Sequence, residues 1–317
     1  MNALRPTKVS LFFKAPRSRS FNDADSRSRE LAIESLFSDS RKIRNHLLSN
    51  VKHGSEWREI RKSFERSLMA FLKRESDFKN LSKQPLICLK RKGGRKNNYD
   101  FVGTFVDKFG SISELKIEFK SGTSIYKQPQ FLSVYAKDGV IVSDKCVPYY
   151  KFFYDGYILA VARLKKLEKP SFDLYCKYIF TTRYSSEVFF QTFYRMSKSS
   201  LSGKRQLKGI ADKSIDKYLG YIENQEASIN FAAIKTRLKE QREKVFVSWD
   251  WRTRSFIFER FSKADVSILS AYTVKKNSNG LRNAICIQTR SGRTISALLR
   301  WKNHPCVLGP GWQISMR

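Results

Sequence analysis

Residues 100–122 read DFVGTFVDKFGSISELKIEFKSG, and the predicted fold rests on this stretch. The segment 114–120 alternates charged and apolar residues strictly, which is typical of a β-strand with one buried face. Its apolar face consists of Leu115, Ile117 and Phe119. The segment 99–106 reads as the preceding strand, and the turn at 109–111 separates the two. We therefore predict an antiparallel hairpin with one face in the core.

The sequence on both sides of this hairpin adds helices and another strand. A strand is predicted at 86–89, and the basic turn 90–96 follows it. Helical periodicity begins near Arg29 and is strongest over 55–73. The apolar stripe of that stronger helix consists of Trp57, Ile60, Phe64, Leu68 and Phe71. The tripeptide Gln128-Pro129-Gln130 predicts a further helix start. These elements predict an α+β or α/β fold in which an antiparallel sheet becomes mixed.

The second half of the chain contains three segments that differ in composition and predicted secondary structure. Residues 146–196 are dense in Tyr and Phe, which we expect in the core. The Ser- and Lys-rich segment 197–209 is the predicted domain boundary, and 211–243 reads as polar helix. From residue 244 the chain reads as a β-meander with hairpin turns at 277–280 and 291–292. The predicted domains are a basic flexible arm (1–30), a helical entry with the sheet core (31–196), a linker with a helical connector (197–243) and a β-rich module (244–317).

The composition narrows the class of protein. The 317 residues include 61 Lys and Arg against 29 Asp and Glu, and the formal net charge is +32. So basic a chain needs a polyanion to screen it, and nucleic acid is the better expectation than an anionic membrane. The sequence contains no apolar run long enough to cross a bilayer. We therefore expect no membrane partner.

The five cysteines and three histidines give little support to a zinc site, because no Cys-x-x-Cys pair is present. Scattered cysteines of this kind are typical of buried thiols in a reducing compartment. No secretory signal is visible, so we expect an intracellular protein of the cytoplasm or nucleus that is not secreted. The basic start of the chain has only a weak likeness to an organelle presequence.

Three polar residues of the hairpin have side chains suited to metal-assisted phosphodiester cleavage. That reaction needs hard oxygen ligands for Mg²⁺ and a cation near the attacking water. Asp100 opens the first strand, and the hairpin can bring it beside Glu118. Glu118 and Lys120 project to the same face, about 6–7 Å apart along the strand. The competing interpretation is a solvated strand face with alternating charges, in which Asp100 is a turn residue.

A second triplet of the same kind, Glu114-Leu115-Lys116, lies earlier on the same strand. We prefer Glu118 and Lys120 because they lie at the strand's end, before the turn Ser121-Gly122, where the rim of an active site belongs.

The segment Ile117-Glu118-Phe119-Lys120, together with Asp100, resembles the PD-(D/E)xK nucleases, the restriction-endonuclease-like superfamily. The resemblance covers about residues 55–140 and implies a restriction-endonuclease-like core. It implies that Asp100 and Glu118 bind Mg²⁺, with the Phe119 carbonyl as a third ligand, and that Lys120 orients water. Tyr99 stands where many members have proline.

Two further family positions stay open. The helical glutamate of some members could be Glu56 or Glu65, and a glutamine of the next helix could be Gln128 or Gln130.

The resemblance implies a Mg²⁺-dependent endonuclease that hydrolyses double-stranded DNA, sequence-specifically in the manner of restriction or homing enzymes. Cleavage of both strands would favour a homodimer, because the two strands of a duplex are related by a two-fold axis. The alternatives are a junction-resolving or repair nuclease on the same core, a DNA- or RNA-binding protein without activity, and a basic scaffold in a ribonucleoprotein or virion.

The β-rich module is predicted to contact nucleic acid through its basic side chains. These are Arg282, Arg290, Arg293, Arg300 and Lys302. Four of the five tryptophans accompany them, and we expect those rings to form a small core: Trp249, Trp251, Trp301 and Trp312.

Overall fold

The structure, a computed structural model, describes residues 19–37, 55–81, 84–92, 99–121, 132–135, 141–179, 187–199, 201–226, 228–304 and 308–316. Within these ranges the chain forms seven α-helices, one 3-10 helix and ten strands in two sheets, which is a mixed α+β architecture. In chain order the elements are α1 (Arg19–Glu34), α2 (Ser55–Leu72), the 3-10 helix (Glu75–Leu81), β1 (Leu86–Arg91), β2 (Phe101–Val106), β3 (Ile112–Ser121), β4 (Leu132–Tyr135), α3 (Tyr149–Arg163), α4 (Phe172–Ile179), α5 (Val188–Ser199), α6 (Leu201–Glu223), α7 (Phe231–Arg242), β5 (Lys244–Asp250), β6 (Ser255–Glu259), β7 (Ile268–Lys276), β8 (Arg282–Thr289), β9 (Thr294–His304) and β10 (Leu308–Met316).

The chain divides into two compact units, each made of two segments. The first unit comprises Met1–Ile125 and Glu243–Arg260, and the second comprises Tyr126–Arg242 and Phe261–Arg317. The segment 244–317, expected to form one β-rich module, is therefore shared: β5 and β6 complete the first sheet and β7–β10 belong to the second. The reason is that β5 pairs in parallel with β3, a long-range pairing that a local pattern does not reveal.

Two other expected boundaries fall inside helices. The predicted arm, 1–30, overlaps α1, which begins at Arg19. Contacts with the rest of the unit hold this helix in place: the Ser63 hydroxyl of α2 donates to Asp25 at 2.6 Å, and Leu31 and Ile33 are buried. The predicted boundary at 197–209 coincides with the end of α5 and the start of α6.

The first sheet has the strand order β1-β2-β3-β5-β6, antiparallel except for the β3–β5 pair. The hairpin predicted from residues 99–120 is confirmed, with Phe101 opposite Ile117. Apolar side chains on one face of this sheet pack against α1 and α2. Phe71 of α2 lies edge-on to Trp249 of β5, with ring centroids 4.8 Å apart.

Gly103 is the small residue on the core face of β2. A Cβ atom at this position would lie 3.0 Å from Phe105 Cε2 and 3.2 Å from Ile117 Cδ1. Glycine therefore lets the Phe105 and Ile117 side chains fill the space above the strand.

The second sheet has the order β4-β10-β9-β8-β7 and is antiparallel throughout. Its strands β7, β8 and β9 are joined by the two predicted hairpin turns, in which Gly280 and Gly292 adopt positive φ values of 76° and 79°. Trp301 of β9 packs on Tyr149 and Phe153 of α3, and its indole Nε1 donates to the Tyr149 hydroxyl at 3.2 Å. This helix-covered face is the core of the unit.

The remaining element predictions have mixed outcomes. The helix predicted over 55–73 is α2, which confirms it. The tryptophans at 249, 301 and 312 are buried, but the single small core expected for them is wrong: Trp249 lies in the core of the first unit, and Trp301 and Trp312 belong to the second. Trp251 is 37% exposed and lies under the Arg66 guanidinium. The helix expected to begin over 128–132 is wrong where the structure describes it, because Leu132 begins strand β4, which pairs with β10. Residues 128–131 and the periodicity expected to continue to residue 48 lie outside the described residues. Among the helices that the structure describes, none has both the length and the apolar content that a bilayer span requires.

Candidate active site

Asp100 lies at the start of β2 and is tied to β3 by two hydrogen bonds. Its backbone N–H donates to the Ile117 carbonyl at 3.0 Å, and its Oδ2 accepts from the Phe119 N–H at 2.8 Å. The second bond fixes the carboxylate against the backbone next to Glu118. The structure therefore places Asp100 beside the strand segment that carries Glu118 and Lys120.

Glu118 forms ion pairs with two lysines. Lys120 Nζ donates to Glu118 Oε1, and Lys244 Nζ donates to Oε2 at 2.8 Å. The Lys244 side chain has no exposed surface, and the Glu118 side chain is 10% exposed. Glu118 is therefore a nearly buried carboxylate between two ammonium groups, and Lys120 is where the sequence predicted a cation.

Sequence reasoning missed Lys244, which lies 126 residues from Glu118 along the chain. It is the first residue of β5, whose other residues are all buried as well. Burial lowers the pKa of Lys244, and the charge of Glu118 opposes that shift. A lysine that opens a strand of buried residues is the one signal in the sequence that could have drawn attention to it.

The Asp100 carboxyl group has a strongly raised pKa. Burial raises the pKa to about 6 from an ordinary 3.8, and the negative charges of Glu30 and Glu118 add to the rise. The Lys120 charge and the hydrogen bond from Phe119 act in the opposite direction. Asp100, Glu30 and Glu118 are therefore close enough for their charges to interact.

Glu30 of α1 is the third of these groups and was also missed. Its Oε2 accepts a hydrogen bond from Arg91 Nε at 2.8 Å, which holds it at the end of β1. Of the two glutamates that the resemblance left open, Glu65 pairs with Arg61 on its own helix at 2.9 Å, and the Glu56 side chain lies outside the described residues. Glu30 fell in the expected arm, and so no local pattern marked it.

The second triplet of β3 has a different setting. Glu114 is exposed, and Lys116 pairs with Glu243 at 3.0 Å, with both of those side chains largely in solvent. Of the two triplets on β3, the one with Glu118 and Lys120 is therefore the one whose charged side chains are mostly buried. Gln128, Gln130 and residues 93–96 of the basic turn lie outside the described residues.

The oxygens of Asp100, Glu118 and Glu30 are hard donors of the kind that Mg²⁺ prefers. In the part of the chain that the structure describes, no three His, Cys, Asp or Glu side chains are arranged as a ready metal-binding group. Both Glu118 oxygens accept bonds from lysines, so an ion at Glu118 would use the remaining lone pairs and lie close to two ammonium groups. The carboxyl oxygens are therefore of the type that binds Mg²⁺, and in this structure those of Glu118 are paired with lysines.

The raised pKa of Asp100 predicts how stability depends on pH. The folded protein binds this proton more tightly than the unfolded chain, so the stabilisation is complete below about pH 4 and is lost as pH rises through about 6. The full difference is about 3 kcal/mol. Urea unfolding from pH 4 to 7 should therefore show that Asp100→Asn gains stability relative to the wild type as pH rises. An unchanged difference across this range would contradict the raised pKa.

No protein-family model, curated protein or solved structure matches this chain. The chemistry of the site is therefore the basis for a function.

Proposed function

We propose that this protein is a Mg²⁺-dependent endonuclease that hydrolyses phosphodiester bonds of double-stranded DNA. One observation carries the proposal: the Phe119 N–H holds Asp100 against the strand that bears Glu118 and Lys120. The charges of Glu30 and Glu118 both disfavour the ionised form of Asp100. A divalent cation would relieve this repulsion, and so the site has an electrostatic reason to bind one.

The residues have distinct roles in this proposal. Asp100 and Glu118 would hold Mg²⁺, which stabilises the negative charge of the phosphate as it is attacked and makes its bound water easier to deprotonate. Lys120, 17% exposed, is the cation that orients the attacking water. Lys244 is buried and, through its bond to Oε2, fixes the orientation of the Glu118 carboxyl group. Glu30 contributes a further negative charge next to Asp100.

The mixed sheet supports a restriction-endonuclease-like core in the first unit. Helices α1 and α2 precede three antiparallel strands, and β5 then joins β3 in parallel. The paired carboxylates come from β3 and from the start of β2, as the resemblance implies. The +32 charge supports DNA as the partner, because lysine and arginine contacts with phosphates release condensed counterions.

Sequence-specific cleavage and a homodimer belong to the same proposal. The chain is larger than its first sheet requires and has a second unit of its own, which offers surface for reading a sequence. A two-fold dimer would apply one site to each strand of the duplex. A repair or junction-resolving role would use the same residues on a branched or damaged substrate.

A nucleic-acid-binding protein without nuclease activity is the second candidate. The observation in its favour is that both oxygens of Glu118 are already occupied by Lys120 and Lys244. In that case the buried ion pairs would be structural, and the basic surface would be the functional part.

Mapping of DNA ends separates the two candidates. Genomic DNA incubated with the protein in Mg²⁺ should yield fragment ends at one recurring sequence, and EDTA or Ca²⁺ should suppress them. Fragment ends at many unrelated sequences would support nuclease activity but contradict sequence-specific cleavage. Intact DNA in both Mg²⁺ and Mn²⁺, on linear, branched and damaged substrates that the protein nevertheless binds, would overturn the endonuclease proposal.

A further inference from the structure

The second sheet has one face covered by helices and one polar face. Tyr272, Ile285 and Ile287 lie on the covered face, where the Tyr272 hydroxyl donates to the Ile222 carbonyl of α6 at 3.0 Å. Side chains alternate between the faces along a strand, so their neighbours in sequence project from the other side. That opposite side, here called the open face, exposes Thr273, Lys275, Gln288 and Arg300. Three residues of the same face are at most 8% exposed: Ala284, Ser296 and Gln313.

The open face belongs to a part of the chain that is almost free of acidic residues. Residues 261–317 contain nine Lys and Arg and a single acid, Asp265. None of the five strands of this sheet, as the structure describes them, contains Asp or Glu. A surface of donors and cations without carboxylates repels no phosphate.

Ion pairs already neutralise two of the arginines that the sequence assigned to nucleic acid. Arg282 Nε donates to Glu223 of α6 at 2.9 Å, and its backbone N–H donates to Asp216. Arg293 Nε donates to Asp265 at 3.1 Å. Among the side chains that the structure describes, Lys275 and Arg300 are the exposed cations that strand alternation places on the open face, and Lys276 lies beside Lys275 at the end of β7. These are the described basic residues that can contact a polyanion there.

The open face also contains a shallow groove of about 310 Å³. Lys275, Asn283, Ser296 and Gln313 are among its lining residues. At its side, Arg300 Nη1 donates to Gln313 Oε1 at 2.7 Å, which fixes the guanidinium against the sheet. Amides and hydroxyls that can donate or accept lie beside the Arg300 guanidinium and the Lys275 ammonium group. Groups of these kinds contact phosphates and base edges.

We propose that the open face of the β4-β10-β9-β8-β7 sheet binds duplex DNA, with Lys275 and Arg300 on the phosphates and the amide and hydroxyl groups between them toward the bases. The proposal deepens the function proposed above and rests on DNA being the partner. It assigns a DNA-binding surface to the second unit, whereas Asp100 and Glu118 belong to the first.

Charge reversal tests the surface. We expect Lys275→Glu/Arg300→Glu to weaken binding of a 30-base-pair duplex in Ca²⁺ by at least about tenfold and to lower the salt slope by about two. The control is Lys239→Glu/Arg237→Glu on α7 of the same unit, which changes the net charge equally and should bind within about twofold of the wild type. Fluorescence anisotropy measures the affinity, and Lys275→Ala/Arg300→Ala, expected to lose less, guards against misfolding of the charge-reversed protein. Equal losses in the reversed and control variants would show a general charge effect and overturn the proposal.

The Cys286 thiol gives a readout that needs no mutation. Cys286 is half-buried on the open face, opposite Thr273 and Ser296 on the neighbouring strands. DNA should slow its alkylation by N-ethylmaleimide at least about fivefold, as followed by peptide mass spectrometry, and should leave Cys176 of α4 unchanged. Alkylation of Cys286 at the same rate with and without saturating DNA would contradict the proposal.

These experiments separate the failure of this proposal from the failure of the endonuclease. If the protein binds DNA and DNA protects Cys286 but no cleavage occurs, the endonuclease proposal fails and the open-face proposal stands. If the protein cleaves DNA while Cys286 stays unprotected and the charge-reversed variant keeps full affinity, the open-face proposal fails and the endonuclease proposal stands. Tighter binding to single-stranded RNA than to duplex DNA, or no binding to DNA, would overturn the open face as a duplex-binding surface.

Discussion

Asp100→Asn should reduce Mg²⁺-dependent DNA cleavage by on the order of 10²–10³-fold or more. The substitution removes the negative charge that would hold the ion. Asparagine has the shape of the protonated carboxyl, and its Oδ1 can still accept the hydrogen bond that Phe119 N–H gives to Asp100 at 2.8 Å. The fold should therefore persist, and affinity for duplex DNA measured in Ca²⁺ should remain within about threefold of the wild type. The nicking rate of a supercoiled plasmid measures the loss.

Glu114→Gln is the matched control for this experiment. It removes a carboxylate from β3, the strand that pairs with β2, at an exposed position. It should leave the nicking rate within about twofold of the wild type. Cleavage by Asp100→Asn at the rate of Glu114→Gln would contradict the assignment of Asp100 to the site.

Glu118→Gln should lower the free energy of unfolding by about 3–5 kcal/mol. The substitution leaves the Lys244 ammonium, which has no exposed surface, without its carboxylate. Removing one partner of a buried pair costs more than the pair itself contributes, because the remaining charge is left without compensation. Urea unfolding at pH 7 measures the loss.

Lys244→Met in the Glu118→Gln background should recover most of that stability, because it removes the buried charge and keeps the apolar stem. The contrasting pair is Lys116–Glu243, whose side chains are 45% and 61% exposed. Glu243→Gln should change stability by less than about 1 kcal/mol. If Glu118→Gln and Glu243→Gln were equally mild, Lys244 would not be the buried partner described above. The stable double variant should still be unable to cut, which separates chemistry from folding.

Local patterns were sufficient for the hairpin at the centre of the site. Strict alternation over 114–120 places Ile117 and Phe119 in the core and Glu118 and Lys120 on the other face, and the structure has this arrangement. The helix of 55–73 and the turns that contain Gly280 and Gly292 were predictable for the same reason, since each depends on a few neighbouring residues.

Residues distant in sequence could not be predicted in this way. Glu30 lies on a helix that began ten or more residues before the visible periodicity, and it reaches the site because α1 packs on the first unit through Leu31 and Ile33. Lys244 reaches Glu118 because β5 returns to the sheet after the whole segment 126–242. The sequence around Asp100 and Glu118 therefore contains no pattern that predicts Glu30 or Lys244 as a neighbour.

The amino-acid order alone was therefore enough for the short-range arrangement: two carboxylates and a lysine on adjacent strands of a basic chain. The tertiary structure decided which further charges surround them, and it gathered described strands without Asp or Glu into the second sheet. The physical reason is that strand alternation and turns depend on local backbone sterics, whereas the parallel β3–β5 pairing and the burial of Lys244 depend on which distant segments bury apolar surface together.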